Sequence, residues 1–438
     1  MVICRDRITV LFFLSCIVLC SCSVSKRIAK SAKVFIADSS LINAHTGISI
    51  YDAASNKYLF NYQGDKYFVP ASNTKIPTCY AAMKYLGDSL VGLRYVKDDG
   101  YLLQGTGDPT FLHDEFKNQP VYDFLKSIAH GTEVDFCIDN WSEKHLGSGW
   151  SWDDYNESYM AERSPFPIYG NVVKFELKEN RIKATPFAFD SAIIYLPGAY
   201  PDSGMIERKT ENNLFLVRKS NSKFKNIEIP FSTGGYFVPI ALLNDTLKPW
   251  LEIRELQRWF PGKSKTVYSQ PTDSLLKPMM HRSDNFFAEQ TLLMVSNEML
   301  GVMNDEKIID TLLKTDFKNL PQKPNWADGS GLSRYNLFTP QDFVFILNKM
   351  KEEFGMKRVQ TIFPTGNTGT LEKRYKADSS CVFAKTGTLS GVVALSGFLY
   401  TKKNKLLIFS VLVNNHNGAA TEVRNAIEKF LHNLRQKY

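Results

Sequence analysis

Three short runs in this chain hold the residue types that acyl-transfer chemistry needs. The first is Pro70-Ala71-Ser72-Asn73-Thr74-Lys75. Residues three apart on a helix share a face, so the Ser72 hydroxyl and the Lys75 amine can hydrogen-bond, and a desolvated lysine can take the serine proton. Ser-x-x-Lys spacing alone is weak, since Ser23/Lys26, Ser220/Lys223, Ser222/Lys225 and Ser274/Lys277 share it. Ser72 is set apart by its C-terminal neighbours: Ile76, Cys79, Tyr80, Met83 and Leu86 form an apolar stripe ending at Gly87, which predicts a helix with Ser72 at its start. Backbone amides at a helix start favour developing negative charge.

The second run is Ser283-Asp284-Asn285. A second hydroxyl can relay a proton to a leaving amine, and an asparagine can hold a substrate amide. The same residues also read as a helix N-cap before Phe286-Phe287, with Glu289 downstream. The third run, Lys385-Thr386-Gly387-Thr388, lies within a strand–turn–strand pattern from Ala384 to Phe398. On an edge strand, Lys385 and Thr386 can grip a carboxylate, Gly387 lets a ligand backbone approach, and the Thr388 N–H can join that of Ser72 as an oxyanion hole. An ordinary exposed hairpin would read the same way.

The elements around these runs are legible from local pattern. His45–Asp52 alternates, and Asp52–Lys57 reads as a turn, so Val34–Leu59 is expected to be strand-like and to contain a hairpin. From Val91 to Ser264, short strand-like runs alternate with turn dipeptides such as Asp99-Gly100 and Gly234-Gly235, which predicts a β-rich insertion at 91–264. Helical spacing returns over Ser283–Gly301, Thr339–Gly355 and Thr421–Leu434, with strands expected at Gly391–Tyr400 and Leu406–Val413. The outer segments, 34–90 and 265–438, then form one α/β unit interrupted by the insertion.

Composition is that of a globular chain: 438 residues, 44% hydrophobic, 22% charged. The formal charge is +8, but the basic residues are scattered, which points to a solvated surface and away from nucleic acid. Arg5 and Arg7 followed by apolar Ile8–Cys20 predict a signal peptide over 1–21. Leu19-Cys20-Ser21-Cys22 resembles a lipobox, so Cys22 is the expected lipidation site, with 22–33 as a polar tether on the periplasmic side of a bacterial membrane. Cys79, Cys137 and Cys381 suit neither a disulfide framework nor a metal pattern, and no histidine pair has ligand spacing; neither a metal nor another cofactor is expected.

The three runs together, in this order, are a known signature of β-lactamases and penicillin-binding proteins. The chain resembles the penicillin-binding D-alanyl-D-alanine carboxypeptidase/endopeptidases that carry a large insertion after the first motif. Further runs carry the resemblance: Gly107-Asp108-Pro109, Gly149–Asp154, Asp328–Arg334, Gly369-Thr370-Leu371 with Arg374, and Leu395–Phe398. It implies a five-stranded antiparallel sheet between helices. It also implies cleavage of D-Ala-D-Ala bonds in peptidoglycan stem peptides through an acyl-enzyme, and inhibition by β-lactams. Carried over, Ser72 is the nucleophile and Lys75 the base. Ser283 and Asn285 move the proton and position substrate, Lys385 and Thr386 bind the terminal carboxylate, and Thr388 is a further substrate-binding residue. Asp154 and Arg334 bracket the side chain of the stem peptide, with Tyr159 alongside; as plain turn and ion-pair residues they would read equally well. A β-lactamase or esterase would use the same Ser72. A non-catalytic peptidoglycan-binding lipoprotein is the alternative of a different class, against which the intact motifs count.

Overall fold

The computed structural model describes residues 26–202, 204–221, 223–248, 253–256 and 264–438, with 253–256 described as backbone alone. Cys22 and the expected signal peptide lie outside the described residues. The chain forms two compact units. Among the described residues, one comprises 26–76 with Asn319–Trp326 and Asn336–Tyr438; the other comprises Pro77–Lys318 and Ala327–Tyr335.

The first unit is built on five antiparallel strands. In chain order, helix α1 (26–36) precedes β1 (His45–Asp52) and β2 (Lys57–Tyr62). After a 3-10 turn, Ala71–Thr74, comes helix α2 (Lys75–Tyr85). Helix α3 (Asn285–Leu300) belongs to the second unit. The first unit resumes with helix α4 (Pro340–Ile362), then β3 (Val382–Leu389), β4 (Val392–Tyr400), β5 (Leu406–Asn414) and helix α5 (Ala420–Lys437). The sheet order is β3-β4-β5-β1-β2. Strand β5 reads Leu-Leu-Ile-Phe-Ser-Val-Leu-Val-Asn with almost no polar alternation, because both its faces are covered. Leu407, Phe409, Val411 and Val413 pack with α1 and α5, while α4 lies against β5 and β1. This is the helix–sheet–helix arrangement that the resemblance implied.

Two local expectations are corrected. Residues 26–33 are helical rather than a tether: Ile28, Ala32 and Phe35 fall on one helical face and are buried, with Phe35 stacked on Phe430 at 5.1 Å. The strand-like pattern expected from Val34 onward is therefore the end of α1 up to residue 36. Helix α4 extends beyond Gly355 to Ile362, but breaks at Gly355, whose backbone (φ 75°, ψ 151°) is not helical.

The second unit holds one five-stranded sheet, made by Ile253–Leu256, Val134–Cys137, Tyr101–Gly105, Ser89–Lys97 and Lys265–Pro271 in that order. Two three-stranded sheets stand beside it within the unit. Its core is aromatic: Phe136 meets Phe166, and Phe175 meets Phe215, both edge to face. Helix α3 starts at a true cap, since Asp284 Oδ1 accepts the Phe287 N–H at 2.9 Å, and stops at Gly301, whose left-handed φ of 70° suits glycine.

Candidate active site

In the first unit, the Ser72 turn is held from three sides. The Val69 N–H donates to Asn414 Oδ1 at 2.7 Å, and Asn414 Nδ2 donates to the Val69 carbonyl at 3.0 Å. The Asn73 amide donates to Ser396 Oγ at 2.8 Å, and Ser396 in turn donates to Ser410 Oγ at 2.8 Å. The Thr74 hydroxyl closes the turn on the Ala71 carbonyl at 2.9 Å. Asn73, Ser396 and Ser410 are fully buried, so this polar chain ties the turn to β4 and β5. In the run from Ala71 to Tyr80, Ser72 is the residue that is not buried.

Lys75 Nζ stands 3.1 Å from Ser72 Oγ, and Lys75 has no solvent exposure. Lys385 on β3 is equally buried and donates to the Thr386 carbonyl at 2.9 Å. Burial, and after it the charge of Lys75, holds the Lys385 amine well below the usual lysine range. The Thr386 hydroxyl donates to Thr370 Oγ1 at 2.8 Å, and the exposed Thr388 hydroxyl accepts from Arg424 at 2.8 Å. A Cβ placed on Gly387 would lie 2.6 Å from the Pro70 carbonyl oxygen and 3.1 Å from the Ser72 nitrogen. Only a residue without a side chain lets β3 come so close to the Ser72 turn. Gly387→Ala is therefore expected to slow acylation of Ser72 by roughly tenfold to a hundredfold, read as the rate of fluorescent-penicillin labelling. An unchanged rate would mean that β3 and the turn do not act together.

The second unit holds Ser283, Asn285, Asp154 and Arg334. Ser283 has a left-handed backbone (φ 64°) and directly precedes the cap Asp284. The cap reading holds at Asp284, and Asn285 Nδ2 donates to the Tyr159 carbonyl at 3.1 Å. The Asp154 carboxylate bonds the Tyr159 hydroxyl; burial, and after it this carboxylate, pushes Tyr159 up to about 12.

Arg334 is exposed on a loop organised by the buried Asp328. Asp328 accepts from the N–H of Gly331 at 2.7 Å, the N–H of Ser333 at 2.6 Å and the Trp150 indole at 3.0 Å. Trp150 thereby joins this loop to the one that carries Asp154. Beneath it, Glu289 accepts the Ser330 N–H at 2.7 Å, and buried Arg163 holds Asp305, Glu143 and Glu289 at 2.7, 3.2 and 3.4 Å. Asp328→Asn turns one acceptor oxygen into a donor that faces other donors. It is expected to lower stability by roughly 2–3 kcal/mol, read as a shift of the urea midpoint at constant slope.

The structure thus gathers Ser72, Lys75, Lys385, Thr386 and Thr388 within one unit, and Ser283, Asn285, Asp154 and Arg334 within the other. Sequence reasoning passed over Asn73, Ser396, Ser410, Asn414 and the Arg163 cluster. The signal for Ser396 and Ser410 was a lone hydroxyl inside each apolar strand.

Comparison with known proteins points the same way. The family model for the D-Ala-D-Ala carboxypeptidase 3 (S13) family matches residues 28–193 and 265–434. A D-alanyl-D-alanine carboxypeptidase of Actinomadura sp. (strain R39) is 24% identical, over 87% of this chain and 80% of that protein. The crystal structure of penicillin binding protein 4 (dacB) from Haemophilus influenzae superposes with a TM-score of 0.70 at 21% identity, covering 89% of this chain and 95% of that one. The same Haemophilus protein complexed with a β-lactam gives 0.64 at 20% identity, over 90% of this chain and 95% of that one. At such identities the structural likeness establishes the fold.

Proposed function

The chain belongs to the D-Ala-D-Ala carboxypeptidase 3 (S13) family, whose members are serine-type enzymes, and from that premise we propose that it cleaves the terminal D-Ala-D-Ala bond of peptidoglycan stem peptides through an acyl-enzyme at Ser72. The observation that carries this is the 3.1 Å contact between a buried lysine amine and the one partly open hydroxyl of the Ser72 turn. Ser72 Oγ attacks the penultimate D-Ala carbonyl while Lys75 takes its proton. The backbone N–H groups of Ser72 and Thr388 receive the oxyanion. Ser283, with Asn285 positioning the peptide, passes a proton to the amine of the departing D-Ala, and water then cleaves the ester. Lys385 and Thr386 bind the terminal carboxylate, and Asp154, Tyr159 and Arg334 meet the third residue of the stem. β-Lactams acylate the same Ser72. In this reading Cys22 carries a lipid that anchors the enzyme on the periplasmic side of a bacterial membrane.

Mass spectrometry of muropeptides treated with the protein tests the proposal. Loss of one terminal alanine marks carboxypeptidase action, and conversion of dimers to monomers marks endopeptidase action. Unchanged muropeptides overturn it. A penicillin label that decays quickly would favour the β-lactamase alternative.

A further inference from the structure

The two small sheets of the second unit turn edge strands toward each other, closed at one end where the Arg208 N–H donates to Asn156 Oδ1 and Arg208 Nε to the Pro230 carbonyl, both at 2.8 Å. Gly204–Arg208 is the edge strand of one and Ile227–Pro230 the edge strand of the other, and the two come into contact. Between them lies a cavity of about 630 Å³, walled by Met205, Ile206, Ile227 and Glu228 and by the segment that carries Asp153 and Glu157. A smaller cavity of about 150 Å³ adjoins it, sharing Ser158, Lys174 and Glu228 and reaching His113 and the cap Asp284, next to Ser283. An edge strand is a template for an added strand: its unpaired backbone groups bind an extended chain, and pockets sort alternate side chains. Met205 and Ile227 are exposed beside this template and offer apolar contact.

Charge narrows the occupant. Among the described residues, Asp153, Glu157, Glu207 and Glu228 face the larger cavity against Lys174 as the one cation, in a chain whose formal charge is +8. Arg218 offsets Glu207 at 2.6 Å, and Asp114 offsets Lys174 at 3.2 Å. Asp153 accepts the Ser151 hydroxyl at 2.6 Å, which leaves Glu157 and Glu228 as the carboxylates for an incoming cation. We propose that this groove binds a second extended peptide carrying a free primary amine, as a neighbouring peptidoglycan stem peptide does, with its backbone along a sheet edge and its ammonium between Glu157 and Glu228. The identity of the peptide rests on the proposed function; the groove and its charge do not.

The test is calorimetric titration of the full chain carrying Ser72→Ala and Asp154→Asn, so that neither the nucleophile nor the Asp154 carboxylate contributes. The probe is a synthetic stem tetrapeptide that ends in a single D-Ala and bears a free amine on its third residue. Adding Glu157→Gln and Glu228→Gln is expected to weaken binding about fivefold. Acetylating the probe amine is expected to weaken it by the same factor, with no further loss in the quadruple variant. An unchanged melting temperature shows that the variant is folded. Equal affinity with and without the two glutamates, indifference to acetylation, or no binding at all overturns the proposal. Self-association that the glutamine substitutions relieve would mean that a second copy of the chain fills the groove, and overturns it too. Because the nucleophile takes no part, failure here is separate from failure of penicillin labelling or muropeptide cleavage in the unsubstituted protein.

Discussion

Ser72→Ala is expected to abolish covalent labelling by fluorescent penicillin and to lower D-Ala-D-Ala cleavage on the order of 10⁶-fold. The hydroxyl is the atom that forms the ester, and no neighbour can replace it: its hydrogen-bond partner Lys75 is a buried amine. Lys75→Ala is expected to cost nearly as much, because a serine hydroxyl is a poor nucleophile until a base takes its proton. The two residues act as one unit, so the double variant should be no slower than the worse single one. Additive losses would mean that Lys75 acts elsewhere and that another group takes the proton. Both variants should retain the wild-type melting temperature to within a few degrees, because Asn73, Asn414 and the Ser396–Ser410 pair hold the turn without either side chain. Persistent labelling of Ser72→Ala would remove the nucleophile from this chemistry altogether.

The legible part of this site is the part whose chemistry must be written locally. Ser72 and Lys75 lie three positions apart on one turn, and a turn can be read from its neighbours. Gly387 reads in the sequence as a place where a ligand backbone comes close, whereas the backbone it admits in the structure is that of Pro70 and Ser72. The supports of the turn were illegible for the opposite reason. Asn73 meets Ser396, and Val69 meets Asn414, across more than 300 positions, and no spacing rule reaches that far. Helix α1 was misread because Arg27, Lys30 and Lys33 lie between its buried residues, and a short amphipathic helix after a signal sequence has the composition of a tether. The closing helix was legible because Val423, Ile427, Phe430, Leu431 and Leu434 repeat at helical spacing and all are buried. The Arg163 cluster draws on four separate segments, and its members read singly as surface charge until folding buries them.

Lys385→Ala is expected to lower kcat/KM for peptides that end in a free carboxylate by about 10³-fold, since losing one partner of a buried charge pair costs roughly 3–5 kcal/mol. A peptide ending in an amide makes no such pair and should lose far less. The pH dependence carries a second signature. In the free protein, burial and then the nearby Lys75 charge hold Lys385 well below its ordinary value of 10.5. Its charged fraction therefore falls as pH rises through that lowered pKa, and KM for carboxylate-ended peptides should rise in the same window, well short of pH 10.5. An arriving carboxylate favours the ammonium, so binding should take up a proton, seen as heats that differ between buffers of different ionisation enthalpy. Stability has a matching sign. Below the lowered pKa the fold must bury a charged amine, so stability is lower there and increases with pH until the unfolded lysine also loses its proton near 10.5. Lys385→Arg keeps its charge throughout and should flatten the KM profile, even where its bulk lowers the rate. A KM profile identical in wild type and Lys385→Ala, or equal losses for carboxylate and amide substrates, would detach Lys385 from the peptide's end and leave β3 a structural edge.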